Sequence, residues 1–122
     1  MVQVDNDPIS QRWLVATDPE GPILVGELDA LVDVDGHPAD KVFCIRRQRV
    51  VRLDWLSPDG SAPVIIAGID CGAWSANSSY AKGNEHTITK NDTSSARSFH
   101  GTKRLMRALD ARLTFMENSV NI

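Results

Sequence analysis

Apolar and acidic side chains alternate along residues 27–35. The apolar positions are Leu28, Ala30, Val32 and Val34, and the acidic positions are Glu27, Asp29, Asp33 and Asp35. Because successive side chains of a β-strand point to opposite faces of its sheet, this pattern predicts a half-buried strand with an acidic outer face. Leu31 departs from the alternation.

Runs of β-branched and aromatic residues predict the strands of the chain, at residues 12–17, 23–34, 42–56 and 63–70, with a shorter one at 86–90. The turn sequence Ser57-Pro58-Asp59-Gly60 predicts that the strand at 63–70 returns antiparallel to the one at 42–56. We expect a bend or a β-bulge in the long strand near residues 46–49, where its apolar positions change face.

The last segment has helical periodicity. Its apolar residues recur three or four positions apart, at Leu105, Leu109, Leu113 and Met116. Capping residues allow the helix to start either at 91–94 or at 101–102. The predicted fold class is therefore α+β, an antiparallel sheet of four to five strands with one C-terminal amphipathic helix packed on one face.

The length of 122 residues predicts a single domain that spans residues 1–122. Residues 1–10 are polar and lack periodicity, so we expect a mobile arm or a lead into the first strand. Residues 72–96 are predicted to form a long polar loop. The longest apolar run, at 62–69, is far shorter than the roughly 20 residues that cross a bilayer, and we expect a cytoplasmic protein without membrane contact.

Charge is distributed unevenly along the chain. The first forty residues carry nine carboxylates and one cation, a formal charge of −8, whereas the remaining residues carry twelve cations and seven acids, a formal charge of +5. Such an asymmetry indicates either a charged partner or a pairing of the two halves with each other.

Pairing between the halves follows if a turn at residues 36–39 joins two antiparallel strands. The predicted opposite pairs are Val34 with Val42, Val32 with Cys44, Glu27 with Arg49 and Asp29 with Arg47. Cross-strand charge pairs contribute only about 0.2 to 1 kcal/mol each, so they select the register more than they stabilise the fold. Asp33 and Asp35 have no partner in this register and remain available for contacts.

The function predicted first is non-catalytic protein binding, by an inhibitor or immunity-type protein that blocks a basic site on a partner protein. Small size, polarised charge and exposed aromatic residues in a polar loop are typical of such domains. The predicted contact residues are Glu27, Asp29, Asp33, Asp35, Asp40, Trp74 and Tyr80.

The second predicted function is binding of a nucleic acid or a phosphorylated ligand by the region from Lys82 to Arg107. Its candidate phosphate-binding residues are Lys82, Lys90, Arg97, Lys103, Arg104 and Arg107, interleaved with Tyr80 and Phe99. The sequence pI of about 5.5 argues against broad affinity for nucleic acid.

The third predicted function is a small enzyme that uses Cys71 or one of the histidines His37, His86 and His100. Cys44 is expected to be a small core residue. We predict no cofactor, because the sequence contains no phosphate-binding glycine loop and no paired-cysteine motif. Residues 33–40 resemble part of a calcium loop, but Pro38 and the absence of a closing glutamate lead us to predict no metal site.

Overall fold

The computed structural model describes residues 1–55, 60–61, 63–68 and 94–117. Two α-helices lie in this part of the chain, α1 at Pro8–Thr17 and α2 at Ser94–Ala108, together with a 3₁₀ helix at Leu28–Ala30. The strands are β1 (Val2–Val4), β2 (Ile23–Val25), β3 (Lys41–Cys44), β4 (Arg49–Arg52), β5 (Val64–Gly68) and β6 (Leu113–Glu117).

The described strands pair into three separate two-stranded sheets. β1 pairs with β2 and β5 pairs with β6, both in parallel, whereas β3 and β4 form an antiparallel hairpin. The prediction of a mixed α and β fold is confirmed, but the prediction of one antiparallel sheet of four to five strands is wrong. β5 has β6 as its neighbour, not residues 42–56, and the predicted strand at 86–90 lies outside the described residues.

Helix α1 occupies the place of the predicted strand at 12–17. The Asp7 carboxylate caps the helix, because it accepts the N–H groups of Ile9 at 3.3 Å and Ser10 at 3.0 Å, and Pro8 occupies the first turn. The Ser10 hydroxyl also donates to Asp7, and this bond and the two backbone bonds lower the pKa of Asp7. Local capping therefore outweighs the β propensity of the residues that follow.

The predicted strand at 23–34 is strand only in β2. Burial explains the difference, since the buried side chains come in adjacent pairs, Leu24 with Val25 and Leu31 with Val32. Two adjacent buried side chains break the alternation of a strand with one buried face, and the 3₁₀ helix turns the backbone between the two pairs. The alternation of apolar and acidic residues along 27–35 therefore does not indicate which side chains are buried.

The predicted long strand at 42–56 is a hairpin. The expected bend near residues 46–49 is a complete reversal of the chain, in which Gln48 adopts a left-handed conformation with φ of 49°. β3 consequently pairs with β4 in a register that places Lys41 opposite Arg52 and Cys44 opposite Arg49. The predicted pairs Val34 with Val42, Val32 with Cys44, Glu27 with Arg49 and Asp29 with Arg47 are wrong.

Helix α2 confirms the prediction of a C-terminal helix and corrects its end. The helix stops at Ala108, because Asp110 adopts a left-handed φ of 47° and the Ala111 N–H donates to the Met106 carbonyl at 3.1 Å. This is a Schellman motif with aspartate in place of the usual glycine. The periodic residues Leu113 and Met116 belong to β6 instead. In the described part of the chain, neither helix has the length and apolar character that a membrane span requires.

The core brings the N-terminal half of the chain against α2. Its buried members are Val25, Leu31, Val32, Val42, Leu53 and Leu105, and half-buried Val2 and Val4 of β1 pack against them. Residues 2–4 therefore belong to a sheet and residues 8–10 to helix α1, at the place where the sequence predicted a mobile arm or a lead into the first strand. Cys44 is fully buried, as predicted.

Arg46 is a buried cation, with 8% of its surface exposed. Its guanidinium donates to the Pro22 carbonyl and, at 3.3 Å, to the Leu14 carbonyl near the end of α1. One side chain thereby joins the hairpin turn to the helix and to the segment that enters β2. A cation at a helix C-terminus is also favoured by the helix dipole.

Candidate binding surface

The acidic segment at residues 33–40, here called the acidic loop, is held at its base by the core. The Ala39 N–H donates to the Leu31 carbonyl at 2.9 Å, and Val32 forms an antiparallel bridge with Pro38. Leu31 and Val32 are each 1% exposed. The two buried residues therefore fix the point at which the acidic loop leaves the protein.

The Asp33 carboxylate organises the interior of the acidic loop. Its Oδ1 accepts the N–H groups of Asp35 at 2.9 Å and His37 at 2.8 Å, and its Oδ2 lies 3.2 Å from His37 Nδ1. Gly36 allows the reversal with a φ of +87°, and its N–H donates to the Asp33 carbonyl at 3.1 Å. These bonds give the acidic loop one defined conformation before any partner binds.

Hydrogen bonding to the charged form lowers the pKa of Asp33 below its ordinary value of 3.8. The backbone N–H of His37 is the largest cause, and the His37 side chain adds to the effect. Because the pKa of Asp33 is lower in the folded than in the unfolded protein, the stability that these bonds contribute is fully present above pH 3.8. It is lost as the pH falls through the lowered pKa.

We predict that an NMR titration of the His37 amide proton will show this transition, with a midpoint below 3.8. The Asp33→Asn variant is the matched control, because it keeps an oxygen acceptor at this position and removes the titration. A midpoint at or above 3.8 in the wild type, or the same transition in Asp33→Asn, would contradict the assignment.

The tip of the acidic loop displays an apolar side chain among carboxylates. Val34 is 84% exposed, and its neighbours Asp33 and Asp35 are exposed as well. Asp40 is exposed at the other end of the loop. The three aspartates are among the predicted contact residues, whereas Val34 is not, because the alternation assigns it to the buried face. The turn residues at 36–38 are the signal in the sequence against that assignment.

Asp29 is not part of the free acidic surface. Its Oδ1 accepts a hydrogen bond from the Arg104 guanidinium of α2 at 2.6 Å. Glu27 is exposed and precedes the 3₁₀ helix without a capping bond from its side chain. The predicted contact residues Trp74 and Tyr80 lie outside the described residues.

The predicted phosphate-binding residues of α2 are used in different ways. Arg104 is engaged by Asp29, and Lys103 Nζ lies 5.5 Å from the centre of the Phe99 ring, within cation–π range. Arg97 and Arg107 are exposed. Lys82 and Lys90 lie outside the described residues, so the structure brings together only part of this predicted set.

Within the described segments, no cysteine and histidine form a pair of nucleophile and general base. Cys44 is buried in β3, and His100 contacts the Phe99 ring edge-on with centroids 5.5 Å apart. Asp33, Asp35 and His37 offer oxygen and nitrogen atoms within 4.8 Å of one another. Hydrogen bonds that close the acidic loop account for this proximity, and we propose no metal there. Cys71 and His86 lie outside the described residues.

The chain matches no protein family model, no curated protein sequence and no solved structure.

Proposed function

We propose that this protein is a non-catalytic binding domain whose acidic loop occupies a basic site on another protein and thereby blocks that site. The observation that carries the proposal is the exposed Val34 at the tip of a self-bonded loop, between Asp33 and Asp35. An apolar tip fits a pocket, and the carboxylates beside it fit the cations at the rim of that pocket.

Preorganisation supports this proposal energetically. Loops that become ordered only upon binding lose conformational entropy, whereas a loop already held by its own hydrogen bonds avoids much of that cost. The Asp33 carboxylate accepts the two backbone N–H bonds that fix the tip, from Asp35 at 2.9 Å and from His37 at 2.8 Å. Asp35 and Asp40 carry charge without holding the loop through any hydrogen bond of their side chains in the described segments.

Electrostatics determine what kind of partner fits. The segment from Asp33 to Asp40 contains three carboxylates and neither lysine nor arginine. Complementary charge accelerates association and selects against acidic partners, and salt weakens both effects. We therefore expect a partner whose binding site combines arginine or lysine side chains with a small apolar pocket.

The test compares three forms of the protein as bait for proteins from a lysate of the source organism, with quantification by mass spectrometry. The loop variant is Val34→Ser with Asp35→Asn, which leaves the Asp33 bonds intact. The charge control is Glu20→Gln with Asp110→Asn, at two exposed carboxylates away from the loop. We expect at least one basic protein that the wild type and the charge control retain and that the loop variant loses about tenfold.

Salt provides the second criterion, since retention of that protein should fall as the ionic strength rises. Equal capture by all three baits, or no capture at low salt, would rule out the acidic loop as the binding site. Circular dichroism of the three baits shows whether they share one fold.

A further inference from the structure

The outer face of the β3–β4 hairpin is a second exposed surface, which we call the hairpin face. It consists of Lys41 and Phe43 from β3 and Val50 and Arg52 from β4. Phe43 is 50% and Val50 is 61% exposed, whereas Val42 and Cys44 of the opposite face are buried. The hairpin face thus displays apolar and cationic side chains together.

Register brings these four side chains close to one another. Lys41 lies opposite Arg52, and Phe43 lies opposite Val50. The Leu53 N–H donates to the Asp40 carbonyl at 2.8 Å, which makes that neighbouring pair a hydrogen-bonded one. By the alternation of antiparallel ladders, the Lys41–Arg52 and Phe43–Val50 pairs are non-hydrogen-bonded, the kind in which opposite side chains approach most closely.

Like charges directly opposite each other are unfavourable in a ladder. In the described part of the chain, the ion pairs join Asp33 to His37 and Asp29 to Arg104, and neither Lys41 nor Arg52 takes part in one. The strands place this cationic pair about 7 Å from the Phe43–Val50 pair, two residues along. A bound anion beside an aromatic ring would relieve the repulsion.

We propose that the hairpin face binds a single-stranded nucleic acid. A nucleotide offers a phosphate beside a planar base, which matches the Lys41–Arg52 pair beside the exposed Phe43 ring. Hairpin residues Arg47 and Arg49 are exposed and extend the positive charge beyond the face. The segment from Asp40 to Asp54 contains five cations and two acids, so it is locally positive in a chain of net charge −3.

An acidic peptide is the competing occupant, and the exposed aromatic ring argues against it. Bases have flat faces that stack on phenylalanine, and stacking tolerates any base sequence. Carboxylates of a peptide would satisfy Lys41 and Arg52 without needing an exposed Phe43. We therefore expect binding that depends on the ring as well as on charge, with little sequence preference.

The experiment measures fluorescence anisotropy of a labelled oligothymidylate with the full chain at several salt concentrations. Lys41→Gln with Arg52→Gln should reduce the slope of log affinity against log salt by about 0.7, the contribution of the one phosphate that the cationic pair contacts on a single strand. Phe43→Ser should weaken binding about tenfold with an unchanged salt slope. Arg97→Gln with Arg107→Gln removes the same charge from exposed positions of α2 and should leave binding unchanged.

Several outcomes would overturn the proposal. One is the absence of binding by the wild type at low salt, and another is equal binding by the wild type and the hairpin variants. Loss of binding in the α2 variant alone would assign the nucleic acid to the helix instead. If the Phe43→Ser variant and the wild type bind equally, or if inorganic polyphosphate competes as well as the oligonucleotide does, the hairpin face is a general anion surface without base stacking.

Phe43→Leu, which keeps an apolar side chain, checks that the loss in Phe43→Ser comes from the ring.

Discussion

Replacement of Arg46 by alanine is expected to lower the free energy of unfolding by about 3 kcal/mol. The guanidinium is buried and donates to the carbonyls of Pro22 and Leu14, which belong to two different segments. Removing it leaves the Pro22 carbonyl without this donor and opens a cavity beside α1. Chemical denaturation followed by circular dichroism measures the change.

Its neighbour Arg47 provides the matched control, because it is exposed in the same turn. Arg47→Ala should change the free energy of unfolding by no more than about 0.5 kcal/mol. The Arg46→Lys variant separates charge from geometry, since one ammonium group lacks the fork that reaches both carbonyls. Arg46→Ala and Arg47→Ala of equal stability would show that the buried guanidinium contributes nothing net to the fold.

Replacement of Leu31 by alanine is expected to lower the free energy of unfolding by about 3 kcal/mol. Leu31 is 1% exposed and belongs to the core cluster that includes Val25, Val42 and Leu105. Truncating a buried leucine removes its transfer free energy and leaves a cavity that the surroundings fill only partly. The same residue accepts the Ala39 N–H at the base of the acidic loop, so the loop depends on this packing.

Val34→Ala is the control for this second substitution, because Val34 lies three residues further along, in the acidic loop, and is 84% exposed. Its effect on the free energy of unfolding should stay within about 0.5 kcal/mol. A similar loss of stability in both variants would mean that Leu31 does not anchor the loop in the core.

Helix α2 was predictable from its periodicity, but its end was not. A helix stop usually shows in a sequence as glycine after the last turn, and here the left-handed position is held by Asp110. The spacing of Leu105, Leu109, Leu113 and Met116 continues through that stop. The chain therefore carries helical spacing into residues that pair as β6.

The reversal of the chain in the hairpin was also not predictable from the sequence. This reversal requires a left-handed residue, and Gln48 supplies it without the asparagine or glycine that normally indicates a tight turn. The parallel pairs β1–β2 and β5–β6 join segments far apart in sequence, and no local pattern specifies such neighbours. The start of α1 was predictable, because Asp7 followed by Pro8 is a typical helix beginning, but Trp13 and Val15 have β propensity and favour a strand instead.

The polarised charge of the sequence was informative, and the structure keeps its boundary after residue 40. The acidic loop ends at Asp40 and the hairpin face begins at Lys41, so surfaces of opposite charge adjoin within one segment. The predicted ladder that pairs Glu27 with Arg49 and Asp29 with Arg47 does not form. The charges of the acidic loop and of the hairpin face all lie outside those predicted pairs: Asp33, Asp35, Asp40, Lys41 and Arg52.

The buried thiol of Cys44 can report the rate at which the hairpin opens. A cysteine without exposed surface reacts with an alkylating reagent only while the protein is open around it. In a Cys71→Ser background, Cys44 is the remaining thiol of the chain. Its alkylation rate then follows how often β3 separates from its neighbours, a local event that equilibrium denaturation averages over the whole molecule.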